Sequence, residues 1–225
     1  MLPVENTLGG IVQEVNDLLW EMRGVRITAE HAHPIRHCLI GSEGDTVRRA
    51  LSHPQALAQT RLWLEAHAIE PVPFHDTAGA VRHLALEPTP GLGAIAAARA
   101  AHIYGLAVLA DGIQDDDSNQ TRFLLLEPGI PARPAEVGGP AKLSLCFIAA
   151  HAPGSLVAAL QCFAQRGVNL SRLESRPIAE RPFEYRFFLD AQVDDSGLCE
   201  AALVDLESCA REVRVFGTYP SGRAG

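Results

Sequence analysis

Four short segments carry the hydroxyl, amide, imidazole and guanidinium groups best suited to meet a small acidic ligand. In SHPQAL, Ser52 and His53 fall where a helix should begin, and the unpaired N–H groups of a first helical turn attract a carboxylate. Plain capping by Ser52, with Pro54 in the first turn, accounts for the same residues. In DTAGA, Thr77 and Ala78 open a second helix, and a cap at Asp76 or Thr77 is the equal alternative to ligand binding. In SNQTRF, Asn119 and Thr121 can donate hydrogen bonds, Arg122 can pair with a carboxylate and Phe123 follows, unless the segment is only a solvated turn entering a strand. ENTLGG places Glu5, Asn6 and Thr7 on the turn that leaves the first strand.

Other chemistries find less support. His31, His33 and His37 precede Cys38, but the spacing fits no usual zinc pattern and Pro34 breaks a shared helical face, so no metal is expected. No G-x-G-x-x-G opens a strand–helix unit and no Walker A sequence occurs, which argues against a nucleotide. The net charge of -8 disfavours a nucleic-acid partner, whose phosphates call for a basic surface. The five cysteines are odd in number and form no C-x-x-C pair, which suits buried free thiols in the cytoplasm. The most apolar stretch is interrupted by Arg99 and His102, so no membrane span is expected, and MLPVENT lacks the basic and apolar regions of a signal peptide.

The elements that must position these groups fall on either side of a Pro- and Gly-rich linker, 129–140. Before it, in 1–128, strands alternate with helices as in a mostly parallel sheet, and the part up to Ile40 has a different texture that suggests a second lobe. HPQALAQTRLWLEAH reads as one helix and TAGAVRHLALE as another. After the linker, 141–225 reads as βαββαβ, an antiparallel sheet with two helices on one face. Leu156, Leu160 and Phe163 line its first helix, and Leu198, Ala202, Leu206 and Cys209 its second. The other face of that sheet is expected to be completed by a partner.

Taken together, PVENTLGG, EHAHPIRHCLI, SHPQALAQTRLWLE, DTAGA, ARAAHIYGLAVLADGIQDDDSNQTRFLLL, PGSLVAAL and GVNLSRLESRP resemble the prephenate dehydratase family in wording, order and approximate spacing. The resemblance runs from Pro3 to about Gly217, and SNQTRF and NLSRLESRP are its most specific parts. It implies an α/β fold: a two-lobed catalytic domain like a periplasmic binding protein, here with an incomplete first lobe, followed by a ferredoxin-like ACT domain. It also implies conversion of prephenate to phenylpyruvate, CO2 and water in phenylalanine biosynthesis, with no cofactor. By the same match Thr121 is the catalytic residue, and Asn6, Thr7, Ser52, His53, Gln55, Thr77, Ala78, Asn119, Arg122 and Phe123 bind the substrate.

The ACT motifs imply L-phenylalanine as effector, bound by Pro153, Gly154, Ser155, Leu156, Asn169, Leu170, Glu174, Ser175, Arg176 and Pro177, and a homodimer or homotetramer joined through that domain. The sequence departs from the family at Thr7, Asp76 and Ser155. A carboxylate at Asp76 can oppose a dianion. The family's opening strand and its G-P-x-G-T-F-S segment are also absent, which suggests a shortened start or a loss of catalysis. A non-catalytic phenylalanine-binding regulator and an arogenate dehydratase are the competing functions, and Asp76 is one candidate to meet arogenate's ammonium group.

Overall fold

The computed structural model describes residues 1–137, 140–178 and 181–222. Positions 138 and 139 of the expected linker, and 179, 180 and 223–225 of the expected ACT domain, lie outside the described residues. The chain forms two compact units, one of Met1–Glu5, Ile11–Ala32 and Arg122–Gly225, the other of Asn6–Gly10 and His33–Thr121. The boundary therefore crosses the chain four times, at Glu5/Asn6, Gly10/Ile11, Ala32/His33 and Thr121/Arg122.

The chain opens with β1 (Leu2–Asn6), β2 (Gly10–Ile11), α1 (Gln13–Glu21) and β3 (Val25–Pro34). Val15 and Leu19 of α1 are buried at i, i+4 spacing, and Gly24 at φ 74° turns the chain into β3.

There follow β4 (Cys38–Gly41), β5 (Arg49–Ser52), α2 (Pro54–Ala58), α3 (Arg61–Ala66), β6 (Glu70–Pro73), α4 (Thr77–Leu86), β7 (Leu92–Ala96), α5 (Ala98–Tyr104) and β8 (Ala107–Ala110). Their five strands make one sheet in the order β6-β5-β7-β4-β8. Every residue of β7 (LGAIA) is buried, as a strand covered on both faces should be. The sheet is mixed: β5 runs parallel to β6 and β7, but β4 is antiparallel to β7 and β8. The chain between Gly41 and Arg49 is too short for a crossover, so β4 and β5 must run in opposite directions.

The single helix expected over 53–67 is two. Thr60, fully buried, turns its Oγ1 back to donate to the carbonyl of Ala56 at 2.9 Å, and the chain restarts as α3. Helix α4 buries Ala80, Val81 and Leu84, and α5 stops at Gly105 in the left-handed region.

The chain continues as β9 (Gln120–Pro128), β10 (Ala141–Ile148), α6 (Ser155–Ala164), β11 (Leu170–Ile178), β12 (Arg181–Val193), α7 (Ser196–Cys209) and β13 (Glu212–Pro220). Strand β9 lies in a sheet ordered β2-β1-β9-β3. The rest is the expected βαββαβ arrangement, with sheet order β11-β12-β10-β13 and antiparallel pairing throughout.

Period-two alternation divides this ACT-like sheet. Leu143, Leu145, Phe147, Leu189 and Ala191 face a core that includes Phe163, Ala202, Leu203 and Leu206 of the helices. On α7 the buried stripe is Cys199, Ala202, Leu203 and Leu206. Ala202 and Leu206 of the expected stripe are therefore buried as read, whereas Leu198 and Cys209 at its two ends are exposed.

The opposite face is covered within the same unit rather than left for a partner. Cys146, Phe188, Phe216 and Tyr219 pack there against Val4, Val15, Leu19, Ile27 and Leu124. Each large side chain buried this way is worth roughly 1.5–3 kcal/mol. Among the described residues, no helix is long and apolar enough to cross a membrane.

Candidate active site

Asn6, Thr7, Ser52, His53, Gln55, Thr77, Ala78, Asn119 and Thr121 all lie in the second unit, and the structure brings Asn6, Asn119 and Thr121 into direct contact. The Nδ2 of Asn6 donates to Asn119 Oδ1 at 2.8 Å, to Thr121 Oγ1 at 3.0 Å and to the Gln120 carbonyl at 3.1 Å. Its Oδ1 accepts the N–H groups of Leu8 and Gly9, at 3.1 and 2.6 Å, and so fixes the turn that follows β1. With its oxygen already accepting a bond, the Thr121 hydroxyl keeps its own hydrogen for another acceptor. Asn119 is 1% exposed, and its Nδ2 is buried without a hydrogen-bond partner among the described residues. Such a donor is costly to leave unmet, which makes it a ready point of attachment for an oxygen ligand.

Gln55 joins this group through Gly9. A Cβ at position 9 would run into the Gln55 side-chain amide, so the glycine is what lets that amide lie over the turn.

The other expected substrate ligands have structural tasks. Ser52 is not the cap of α2. It is fully buried in β5 and donates through Oγ to the carbonyl of Ile95 on β7 at 2.6 Å. His53 is the cap, its Nδ1 accepting the Gln55 N–H at 3.2 Å. Thr7 ties β1 to the start of β9: its N–H donates to the Gln120 carbonyl at 2.9 Å and its Oγ1 accepts the Gln120 N–H at 3.0 Å. Thr77 and Ala78 form the first turn of α4, capped by Asp76, whose carboxylate accepts the Gly79 N–H and lies 2.9 Å from His75 Nε2. Asp76 is thus turned onto the helix N-terminus, where the unpaired N–H groups offset its charge.

The guanidinium of Arg122, expected to meet a substrate carboxylate, is engaged by groups of its own chain. It belongs to the first unit, where Nε meets Glu30 at 2.7 Å, Nη1 meets Asp190 at 2.6 Å and Glu5 at 3.0 Å, and Nη2 donates to Tyr219 Oη at 3.1 Å. Its side chain is 11% exposed. Burial alone would depress its pKa, but Asp190, Tyr219, Glu30 and the bond to Glu5 outweigh that and drive it upward. Lys142, the chain's single lysine, adds a second cation at 2.8 Å from Glu30. Ser144 Oγ lies 2.6 Å from both Asp190 Oδ1 and Tyr219 Oη. Burial first, then Asp190, push the Tyr219 phenol upward, so it stays a neutral donor. Nothing in the spacing of Glu5, Glu30, Ser144, Asp190 and Tyr219 marks them as one cluster, since they meet only through sheet packing.

The expected effector residues divide between the two faces of the ACT-like sheet. A cavity of about 350 Å³ is lined by Pro153, Ser155 and Leu156 at the start of α6 and by Phe183, Glu184, Tyr185 and Phe187 of β12, with His151 beside them. Gly154 caps α6 in the left-handed region at φ 81°. Ser175 and Pro177 stand directly opposite Phe187 and Tyr185 in the β11–β12 register, on the same face as the cavity. Asn169 and Leu170 do not line it; Asn169 donates to Gln192 at 2.9 Å.

Glu174 and Arg176 point the other way. Glu174 accepts from Asn16 at 2.8 Å, and Arg176 pairs with Asp17 and donates to Gln13 at 2.6 Å, all on α1. Phe183, Glu184 and His151 were missed by sequence reasoning, although the alternation of Tyr185 and Phe187 in FEYRFF was the available signal.

A family model described as "Prephenate dehydratase" matches residues 1–129. The chain is 39% identical to "Arogenate dehydratase 2" of Petunia hybrida over 98% of its own length and 60% of that protein's. The solved structure of a prephenate dehydratase from Arthrobacter aurescens in complex with L-Phe superposes with a TM-score of 0.85 at 33% identity, covering 99% of this chain and 74% of that one. A structure described as GqqA, a novel type of quorum quenching acylase, superposes at 0.87 with 32% identity, covering 98% and 81%.

The chain spans about 60% of the length of the curated plant relatives it matches. Several of those, from Arabidopsis thaliana, are chloroplastic proteins, which overturns the cytoplasmic expectation. Free thiols indicate a reducing compartment but not which one.

Proposed function

The chain belongs to the prephenate dehydratase family, and on that premise we propose that it is a decarboxylating dehydratase of the phenylalanine route, acting on arogenate with prephenate as the alternative substrate. The arogenate dehydratase names of its plant relatives support the order of preference. The observation that carries the chemistry is the Asn6–Thr121 bond beside the unpartnered Nδ2 of Asn119.

In the reaction the ring C–O bond and the bond to the ring carboxylate break. CO2 leaves, the electron pair of the C–C bond completes the aromatic ring, and the departing oxygen takes one proton to become water. Because Asn6 already donates to Thr121 Oγ1, the threonine hydrogen is directed at that departing oxygen. A threonine hydroxyl is too weak an acid to surrender the proton for good, so solvent restores it. Asn119 Nδ2 offers a second donor, to a substrate carboxylate, and Gln55 a third. The substrate supplies the driving force, and these groups orient it.

The ACT-like unit supports effector control by L-phenylalanine, the ligand of the Arthrobacter aurescens relative. In this proposal the cavity beside Pro153, Ser155 and Leu156 takes the amino acid, with α6 N–H groups meeting its carboxylate and Tyr185 and Phe187 its ring. Glu184, now paired with Arg211 at 2.9 Å, is placed to receive the ammonium group. Assembly of copies through the ACT-like unit, and the division into a catalytic part, 1–128, and an effector part, 141–225, belong to the same proposal.

The test is turnover of the purified chain on arogenate and on prephenate, with phenylalanine and phenylpyruvate measured as products. Arogenate turnover that falls roughly 10³-fold in Thr121→Ala, with KM little changed, is the expected result. A folded chain that binds phenylalanine but turns over neither substrate is a regulator instead, and the proposal fails.

A further inference from the structure

We infer that Arg122 is a positioning residue through which the ACT-like sheet holds Thr121. This rests on the catalytic role proposed for Thr121. Thr121 and Arg122 are consecutive in β9, so their side chains leave opposite faces of the strand. Thr121 meets Asn6, while Arg122, with Leu124 two residues on, faces the ACT-like sheet. There the guanidinium meets Asp190 of β12 and Tyr219 of β13, and Ser144 of β10 joins those two by bonds of 2.6 Å. One cation is thereby fastened to three adjacent strands of the effector-binding sheet.

On the other side Glu5 and Glu30, from β1 and β3, fasten the same guanidinium to the sheet that contains β9. Asp190 is 2% exposed and Glu30 5%, so neither is loosely solvated. The strand register of Thr121 is thus set by a buried charged cluster, and one carboxylate of that cluster lies on β12. The same strand carries Tyr185 and Phe187, which line the cavity at the head of α6. A ligand there that shifts β12 changes the hold on Arg122, and through it the backbone on which the Thr121 hydroxyl is aimed. The requirement is only that the ligand favour one arrangement of the strand over another.

The test uses the full chain. Asp190→Asn keeps the shape and an acceptor for Ser144 but removes the charge facing Arg122. Its kcat should fall about ten-fold with KM within about two-fold, and its response to phenylalanine should flatten. Arg122→Gln should cause a similar loss, and the double variant no more than either alone, because the two act as one unit. Lys142→Met disturbs the same cluster through Glu30 without touching Arg122, so it should lower the melting temperature and leave kcat near wild type.

A KM effect with unchanged kcat in Asp190→Asn, multiplicative losses in the double variant, or an equal kcat loss in Lys142→Met would each overturn the inference. Hydrogen exchange at the amides of 121–123, with and without phenylalanine, reads the same link without turnover. If the wild type turns over neither substrate, the proposed function fails alone. A phenylalanine-dependent change at 121–123 that disappears in Asp190→Asn still supports the inference, and one that persists unchanged refutes it.

Discussion

Replacing Asn6 with Ala separates orientation of the Thr121 hydroxyl from simple maintenance of the turn. The substitution removes an amide that donates to Asn119, Thr121 and the Gln120 carbonyl and accepts from Leu8 and Gly9. Leu8 and Gly9 are exposed and can turn to water, so their loss is small. Asn119 is buried and already has an unpartnered Nδ2, so stripping its Oδ1 as well leaves the whole side-chain amide unmet. That desolvation costs about 1–3 kcal/mol, which for a chain of this size lowers the melting temperature by about 2–12 °C.

The catalytic effect is distinct. A hydroxyl no longer held by Asn6 Nδ2 loses about 2 kcal/mol of transition-state stabilisation, or about 30-fold in kcat. Asn6→Asp keeps an acceptor for Leu8 and Gly9 but supplies no donor to Thr121. It should therefore preserve more of the turn than alanine does while losing at least as much kcat. Steady-state kinetics on arogenate and thermal melts of the three proteins give both quantities. A melting temperature that falls as expected while kcat stays within two-fold in both variants would show that Asn6 only shapes the turn, and the orientation argument would be refuted.

Ser52→Ala should lower stability by about 1–2 kcal/mol, read by urea unfolding, because the buried Ile95 carbonyl loses its hydroxyl donor, while KM should not change. A raised KM with unaltered stability would return Ser52 to the substrate. Gly9→Ala should displace the Gln55 amide and raise KM by several-fold, about 1 kcal/mol of binding, with little change in stability because a flexible side chain can yield. An unchanged KM would remove Gln55 from the site.

Burial raises the thiols of Cys38 and Cys162 to about 11 and that of Cys199 to about 12, from 9.0. Each favours the folded state fully below pH 9, and that contribution is lost as pH climbs towards 11–12, since the unfolded chain releases its protons first. Unfolding free energy should therefore fall over that window, less steeply in Cys199→Ala. Equal slopes would contradict the assignment for Cys199.

Local physics made much of this molecule legible in its sequence. The βαββαβ order could be read from Leu143–Phe147, from Gly154 before the first helix and Gly167 after it, and from the alternation in FEYRFFLDAQV, because strand period and helix caps are properties of neighbouring residues. The same holds for α4 with its Asp76 cap and for the fully apolar β7. The chemistry-bearing types at Asn6, Asn119 and Thr121 were visible too, but not that one amide would touch both of the others from more than a hundred residues away.

Tertiary packing alone decided which polar residues remain available. Ser52 and Thr7 look as open as Asn6 in the sequence, yet strand pairing consumes their hydroxyls. Arg122 reads as a carboxylate ligand beside Thr121, and the pleat turns it the opposite way, into three carboxylates of its own chain. The covering of the ACT-like sheet by Val15, Leu19 and Ile27 is likewise a long-range result. A side chain's type is set locally. Whether its donors and acceptors are free depends on what the rest of the chain brings within about 3 Å of them.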